Sequence, residues 1–506
     1  MGESLFEYIK RRNIDRLSRT ALRRGFSGPP LTYSKLASQV ERISKYFKPG
    51  IVISLALNNC IESVICFLAI GYAGGVVAPL NPDYSEAEFE YYLKKSSAGV
   101  IVPKSQSDNS PIVRAARKLG TPVIRVFMDD NATISLTNIS LDSGFRSEIT
   151  GAETHLILYT SGTTGEPKAV PLSHSNLVAS TQNIAQTYNL TYTDTTIAVM
   201  PLFHIHGLMA SLFATLVSGG TVVLPSAGKF SASSFFTELV KTQCTWFTAV
   251  PTMHHILINT MSGREFLSSH KLRFIRSCSS ALAPTLLFQI EKMYGVQVLE
   301  AYAMTEASHQ MTSNPLNGRK PGTVGIPHGP VQISIFDPSS DTVLPSGARG
   351  EVCVKGKNVT AGYLNNPEAN KRSFTRDRFF RTGDEGFMDS DGFLTITGRL
   401  KELINKGGEK VSPIEIDSVL LSHPDVKEAV AFGLPDAKYG EVVAAAVVLK
   451  TGTNSNAATI KTFVGSKLAG FKVPSHIFIV ENIPRTATGK IQRRLVADKF
   501  TKRSKL

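Results

Sequence analysis

Apolar residues along this chain fall into short runs separated by stretches with helical spacing. Residues 51–57, 99–102, 122–126, 156–159, 221–224 and 273–277 are short, predominantly apolar runs that look like buried strands. Residues 85–94 and 231–240 carry their apolar positions at helical spacing. The alternation predicts an α/β chain with largely parallel sheets. The stretch 61–80 is about long enough to span a membrane, but it holds Glu62, Gly71, Gly74, Gly75 and Pro79, which predicts a buried helix followed by a strand. After Val324 short strands and Gly/Asp/Pro turns take over, predicting a β-rich subdomain. A further unit opens near Gly398-Arg399-Leu400-Lys401, with a helix over 412–422, strands over 428–433 and 442–449, and a helix over 456–468: a small α+β domain. No repeat of 20–50 residues is visible.

Composition narrows the class. With 506 residues, 42% hydrophobic and 19% charged, the chain can bury a full core, so disorder and fibrous structure are excluded as its main description. Cys60, Cys66, Cys244, Cys278 and Cys353 are scattered and form no C-x-x-C pair, which predicts a reducing, intracellular setting and no structural zinc. The net charge of +14 is concentrated at the ends: +7 over residues 484–506 and +4 over residues 1–24. Only +3 remains on the 459 residues between, where a nucleic-acid binder would more often carry a basic face, so two basic ends on a nearly neutral body fit an enzyme handling small anions at least as well.

The N-terminal residues MGESLFEYIKRR do not read as a signal peptide, and Phe6 stands where a myristoylation signal needs Ser or Thr. The terminal Ser504-Lys505-Leu506 reads as a peroxisomal address, which implies an import receptor as partner and the peroxisomal matrix as location, with the cytosol a second. No integral membrane association and no nucleic-acid partner are expected.

The strongest local chemistry is Leu156-Ile-Leu-Tyr-Thr-Ser-Gly-Thr-Thr-Gly-Glu-Pro-Lys168. An apolar strand runs into Thr160, Ser161, Gly162, Thr163, Thr164 and Gly165, then reaches Lys168. Glycines let backbone N–H groups approach an anion, hydroxyls donate, and lysine adds a point charge. This is phosphate-handling composition. The Walker spacing Gly-x4-Gly-Lys-Ser/Thr is absent, so P-loop ATPase chemistry is unsupported.

That segment resembles the signature loop of the adenylate-forming acyl-CoA synthetase family. The resemblance continues, in the family's order and over nearly the whole chain, through Glu300-Ala-Tyr-Ala-Met-Thr-Glu306, Tyr363-Leu-Asn-Asn-Pro, Arg381-Thr-Gly-Asp384, Gly398-Arg-Leu-Lys-Glu402 and Pro484-Arg-Thr-Ala-Thr-Gly-Lys490. It implies a large N-terminal domain (1–398) of two α/β sheets plus a β-rich subdomain, and a small mobile C-terminal domain (399–506). It also implies a two-step reaction: a carboxylate attacks the α-phosphate of ATP, and coenzyme A then displaces AMP from the acyl-adenylate.

The same resemblance implies residue roles. Lys490 touches the carboxylate and α-phosphate, offsetting repulsion between two converging anions. Asp384 accepts from the ribose hydroxyls, with Arg399 beside it. Glu306 holds Mg²⁺ and Thr305 bonds the α-phosphate. Tyr302 faces the adenine, Ser280 and Ala281 line its other side, and Glu300 and Ala301 complete the nucleotide site. Lys401 is the hinge, and Gly407-Gly408 border the coenzyme A tunnel after the small domain rotates.

The acid pocket of such an enzyme would draw on 201–207, 277–280 and 301–310. Fatty and aromatic acids need apolar walls there. This chain supplies His204, His206, Ser279 and His309, and has Ala303 where most of the family has glycine. Small and polar together predict a short acid with a second anionic group. In detail Ser277-Cys-Ser-Ser-Ala-Leu-Ala-Pro284, Leu299–Ala307 with His309, and Ser412-Pro-Ile-Glu-Ile-Asp417 resemble the oxalate–CoA ligases of plants and fungi. In that subfamily Ser279 and His309 match the residues that hold the distal carboxylate, and His204 lies beside the nucleotide.

Two bland readings stand beside these. The His204-x-His206 pair on a strand, and His254-His255, are also what packing gives, and no carboxylate or thiol near in sequence argues for a metal there. Asn405 replaces a lysine that 4-coumarate–CoA ligases use, which weakens the phenylpropanoid branch. A ligase for medium-chain or aromatic acids is the alternative enzyme reading, and a non-catalytic basic binding protein the alternative class.

Overall fold

A computed structural model describes residues 3–139, 154–160, 167–260, 270–485 and 491–503. The elements alternate as the apolar pattern predicts, and among the described residues the strands form four sheets.

Seven strands make one sheet in the order Ile134–Thr137, Val123–Met128, Gly99–Pro103, Val52–Leu55, Val76–Pro79, Thr154–Thr160, Lys168–Ser173. Its inner strands are parallel and its two ends antiparallel. The apolar stretch beginning at Ile61 is the buried helix Ile61–Tyr72 followed by the strand Val76–Pro79. Among the described residues no helix is long and apolar enough to cross a membrane.

Nine strands make the second sheet, ordered Ile326–Pro327, His309–Ser313, Val298–Met304, Phe274–Ser277, Trp246–Ala249, Thr195–Ile197, Thr221–Leu224, Thr20–Arg24, Leu31–Thr32. Its middle is again parallel, each crossover supplied by a helix such as Ala232–Lys241 or Pro284–Tyr294. The carboxyl ends of parallel strands are where α/β sheets bind ligands. Here those ends are Thr248-Ala249, Ser277 and the segment leading into Thr305.

The β-rich region is an antiparallel sheet, Gln332–Phe336, Gly350–Lys355, Phe380–Met388 and Leu394–Arg399. Its core is continuous with that of both parallel sheets, from Leu5 to Leu394. A separate core starts at Ile404, built on the long hairpin Val426–Asp436 and Gly440–Leu449 with the helices Pro413–Leu421 and Ala457–Gly465. A second layer of it closes under the final helix through Val496 and Phe500. Between the two cores lies the turn holding Lys401, which is exposed.

Candidate active site

Three sheets meet around one set of polar groups. Thr160 ends one strand and Lys168 begins the next, and they are cross-strand neighbours. Ser161, Gly162, Thr163, Thr164 and Gly165, which join them, lie outside the described residues, as does Lys490. The segment 358–364 staples this hairpin to the nine-stranded sheet. Thr360 donates its N–H to the Glu306 carbonyl and its hydroxyl to the Pro171 carbonyl, both at 2.7 Å. Leu364 donates to the Ala169 carbonyl at 2.9 Å.

That staple places Tyr363 between two predicted site residues. Its hydroxyl donates to Glu306 Oε1 at 2.8 Å, and Lys168 Nζ stands 4.5 Å over its ring. Glu306 is buried, which pushes its pKa up; the Tyr363 hydroxyl and then the Lys168 charge act in the opposite direction. Thr305 opens the short 3₁₀ turn that carries Glu306.

On the other side Tyr302 donates its hydroxyl to Asp384 Oδ2 at 2.5 Å, and Arg399 Nε donates to Asp384 Oδ1 at 3.1 Å. Asp384 and Arg399 are directly paired across adjacent strands, which explains why the Arg-Thr-Gly-Asp and Gly-Arg-Leu-Lys segments work together. Ser280 and Ala281 are exposed. Ala301 and Glu300 are buried; the Glu300 carboxyl takes the Gly322 N–H at 3.3 Å, and burial raises its pKa to about 7. Gly407 and Gly408 form the tip of the hairpin between Ile404–Lys406 and Glu409–Val411. Both have positive φ, 60° and 93°, as a tight two-residue turn with this twist requires.

The histidines form the third cluster. His206 does not sit on a strand, as the His-x-His spacing suggests, but opens a π-helical segment, His206–Phe213. Gly207 permits this: a Cβ there would lie 2.2 Å from the Pro201 carbonyl oxygen. The His206 ring stacks on that of His309, 4.7 Å between centroids. Its Nδ1 lies 3.0 Å from Ser279 Oγ and its Nε2 2.6 Å from Thr248 Oγ1. His204 Nδ1 accepts the His206 N–H at 3.2 Å. Burial first, then the neighbouring Arg276 charge, hold both His206 and His309 well below the usual imidazole pKa, so both are neutral. Ala303 lies opposite Gln310 on paired strands at the edge of this cluster.

Ser279 and His309 hold φ of 73° and 91°, and Ser308 of 49°. Three non-glycine residues in that region mark a place where the surrounding packing overrides local preference, as binding sites do. His309 Nε2 is buried and has no hydrogen-bond partner among the described residues. His254, by contrast, is a packed histidine on the helix Pro251–Thr260, buried against Phe247. Among the described residues no group of three or more His, Cys, Asp or Glu could hold a metal ion by itself. A magnesium held by one carboxylate plus substrate phosphates is a different kind of site, and Glu306, a hard oxygen donor with Lys168 beside it, fits it.

Arg276, Thr248 and Gln310 escape a reading of the sequence, as does the part Tyr363 plays beside Glu306. Arg276 stands inside an apolar run where a charged residue reads as facing outward, and Thr248 is one hydroxyl in a buried strand. Tyr363 itself opens a recognisable motif; its hydrogen bond to Glu306 is what the motif does not show.

Comparison with known proteins accords with this geometry. The model of the "AMP-binding enzyme" family matches residues 11–364, and that of its C-terminal domain matches residues 415–490. The chain is 46% identical over 485 residues to the oxalate–CoA ligase of Arabidopsis thaliana, covering 93% of each. It is also 46% identical over 484 residues to that of Saccharomyces cerevisiae, covering 90% of this chain and 87% of that one. ATP-bound MatB from Rhodopseudomonas palustris superposes with a TM-score of 0.88 at 30% identity, over 99% of both chains. With a phosphate-type hairpin, the Asp384–Arg399 pair and Glu306 converging on one face, the chain belongs to the AMP-binding enzyme family.

Proposed function

We propose that this protein is an acid–CoA ligase whose acid is oxalate: ATP, oxalate and coenzyme A give oxalyl-CoA, AMP and pyrophosphate. The observation that carries the choice of acid is the polar cluster of the buried, neutral His206 and His309 with the half-buried Ser279, where apolar walls would otherwise stand. The two oxalate–CoA ligases at 46% identity support it.

In the first half-reaction one oxalate oxygen attacks the α-phosphate and pyrophosphate leaves. Two anions must meet, and Lys490, from the family motif, supplies the charge that offsets their repulsion. Tyr302 and Arg399 orient the Asp384 carboxylate, which receives the ribose hydroxyls. Glu306, steadied by Tyr363, holds Mg²⁺, which supplies charge neutralisation on the phosphates. Ser279 and the unpartnered Nε2 of His309 face the far carboxylate, while His204 stands toward the nucleotide. In the second half-reaction the small domain turns about Lys401 and brings the Gly407-Gly408 hairpin to the thiol's approach. In a chain ending at Leu506, Ser504-Lys505-Leu506 directs import into peroxisomes; a reporter carrying the tail, with and without those three residues, tests this.

The test of the reaction is pyrophosphate release over a panel of acids: oxalate, malonate, acetate, hexanoate and 4-coumarate. Oxalate is expected to dominate. Acetate fits sterically but leaves buried donors unpaired, a mismatch worth about 10⁴–10⁵ in discrimination where a site is built for the missing polar group. Comparable rates with acetate or hexanoate would remove oxalate as the substrate and leave acid–CoA ligation standing.

A further inference from the structure

Arg276 is wholly buried in the strand Phe274–Ser277, and among the described residues no carboxylate pairs with it. A lone buried guanidinium is costly, so what surrounds it needs a reason. The titratable groups around it are Tyr188, Cys278, His206, His254 and His309, and none of these is a carboxylate. It donates Nε–H to the Tyr188 hydroxyl at 2.7 Å, Nη2 to Gln310 Oε1 at 3.3 Å, and Nη1 to Thr248 Oγ1 at 3.2 Å, with His206 Nε2 at 3.4 Å.

A guanidinium donates only, and this constrains the tautomer of the histidine beside it. Arg276 Nη1, a donor only, also lies 3.4 Å from His206 Nε2, where a second N–H would oppose it, so Nε2 is unprotonated and takes the Thr248 hydroxyl proton 2.6 Å away. His206 Nε2 is therefore an acceptor and the imidazole proton sits on Nδ1. Nδ1–H donates to Ser279 Oγ at 3.0 Å. Having accepted there, Ser279 is left with its O–H to give to whatever occupies the pocket. Ser279 is only half-buried, at the pocket's edge, while the rest of the relay is sealed.

We propose that Arg276 is the specificity-determining residue of the acid pocket: acting through Thr248 and His206, it sets Ser279 as a donor and lends the pocket a fixed positive charge that the second carboxylate of a short diacid neutralises. Arg276 is thus a positioning residue, removed from the substrate by three side chains, Thr248, His206 and Ser279. The inference rests on the diacid reading given above. It also explains why the histidines can be neutral in a pocket for a dianion: the charge comes from a group that does not titrate.

The experiment compares wild type with Arg276→Met, Thr248→Val and Thr248→Ser, each checked by thermal melting, in pyrophosphate release with oxalate and with acetate. Arg276→Met and Thr248→Val are expected to raise KM for oxalate about 10–100-fold, the worth of a charge-assisted hydrogen bond, with KM for ATP within about twofold. The preference for oxalate over acetate should fall by the same factor. Thr248→Ser keeps the hydroxyl and should restore wild-type preference. Should Arg276→Met not fold, the Thr248 pair carries the test alone. A preference left intact by Arg276→Met and Thr248→Val, or Thr248→Ser behaving as Thr248→Val, overturns the inference while the diacid reading stands. A wild-type enzyme that shows no preference for oxalate overturns the diacid reading itself.

Discussion

Replacing Arg493 with methionine should unfold the small domain well before the large one. Arg493 opens the final helix, three residues after Lys490, and is mostly buried. Its guanidinium donates to Asp417 Oδ2 at 2.8 Å, to Glu402 Oε2 at 3.1 Å, and to the Ala431 carbonyl. Glu402 adjoins Lys401, so this one side chain ties the inter-domain turn to the end of the chain. Asp417 also accepts the Ala431 N–H at 2.5 Å, and burial already pushes its pKa above the usual carboxylate range despite the arginine. Removing one member of a buried pair costs about 3–5 kcal/mol, because a charge is left uncompensated. At about 4–8 °C per kcal/mol for a unit of this size, the small-domain transition should fall by at least roughly 12 °C.

The loss should also depend on pH. Without Arg493, Asp417 escapes by taking a proton, so its folded pKa rises further above the unfolded value of about 3.9. A raised carboxyl pKa contributes stability that is present at low pH and lost as pH climbs through the folded value, at about 1.4 kcal/mol per pH unit. The variant should therefore lie closer to wild type at pH 5 than at pH 8. Calorimetry on the full chain measures the small-domain transition, while Trp246, the single tryptophan and fully buried in the nine-stranded sheet, reports the large domain alone by fluorescence. Adding Asp417→Asn should recover part of the loss at pH 8. An equal loss at both pH values, or no recovery in the double variant, would refute the argument.

Three further outcomes are expected. Lys490→Ala should slow adenylation by roughly 10²–10³ and spare thioester formation from preformed acyl-adenylate; equal losses in separately measured half-reactions would contradict the division of labour. Tyr363→Phe should raise KM for Mg-ATP by about 10-fold or more, the worth of a hydrogen bond to a charged group, and leave KM for oxalate unchanged, which steady-state kinetics at varied magnesium would check. Burial holds His155, His206 and His309 far below their ordinary pKa, and His174 and His254 at about 4. Because the unfolded chain binds protons below about pH 6.5 that these sites refuse, the midpoint followed by Trp246 should drop as pH goes from 7.5 to 5; a constant midpoint would show that other groups offset them.

Local pattern was enough for the order of elements and most of the nucleotide side. Short apolar runs bounded by turn residues fit buried strands by their length, and the glycines and proline between Gly71 and Pro79 mark where a helix gives way to a strand. Thr160–Lys168, Thr305–Glu306 and Asp384 stand out because phosphate and ribose chemistry needs particular residue types at short spacing, and short spacing survives in sequence. The acid pocket is different. Arg276 meets Tyr188 across 88 residues, His206 across 70 and Gln310 across 34, distances that parallel crossovers close and no periodicity encodes. Sequence rules also place a charged residue outside, so a buried arginine looks ordinary until packing shows that no acidic side chain among the described residues faces it. The same holds for His206, whose place depends on Gly207 letting a π-helical turn press against the Pro201 carbonyl. Which residues could bind an anion was written locally; which of them point the same way, and which proton each one holds, was decided only when the strands came together.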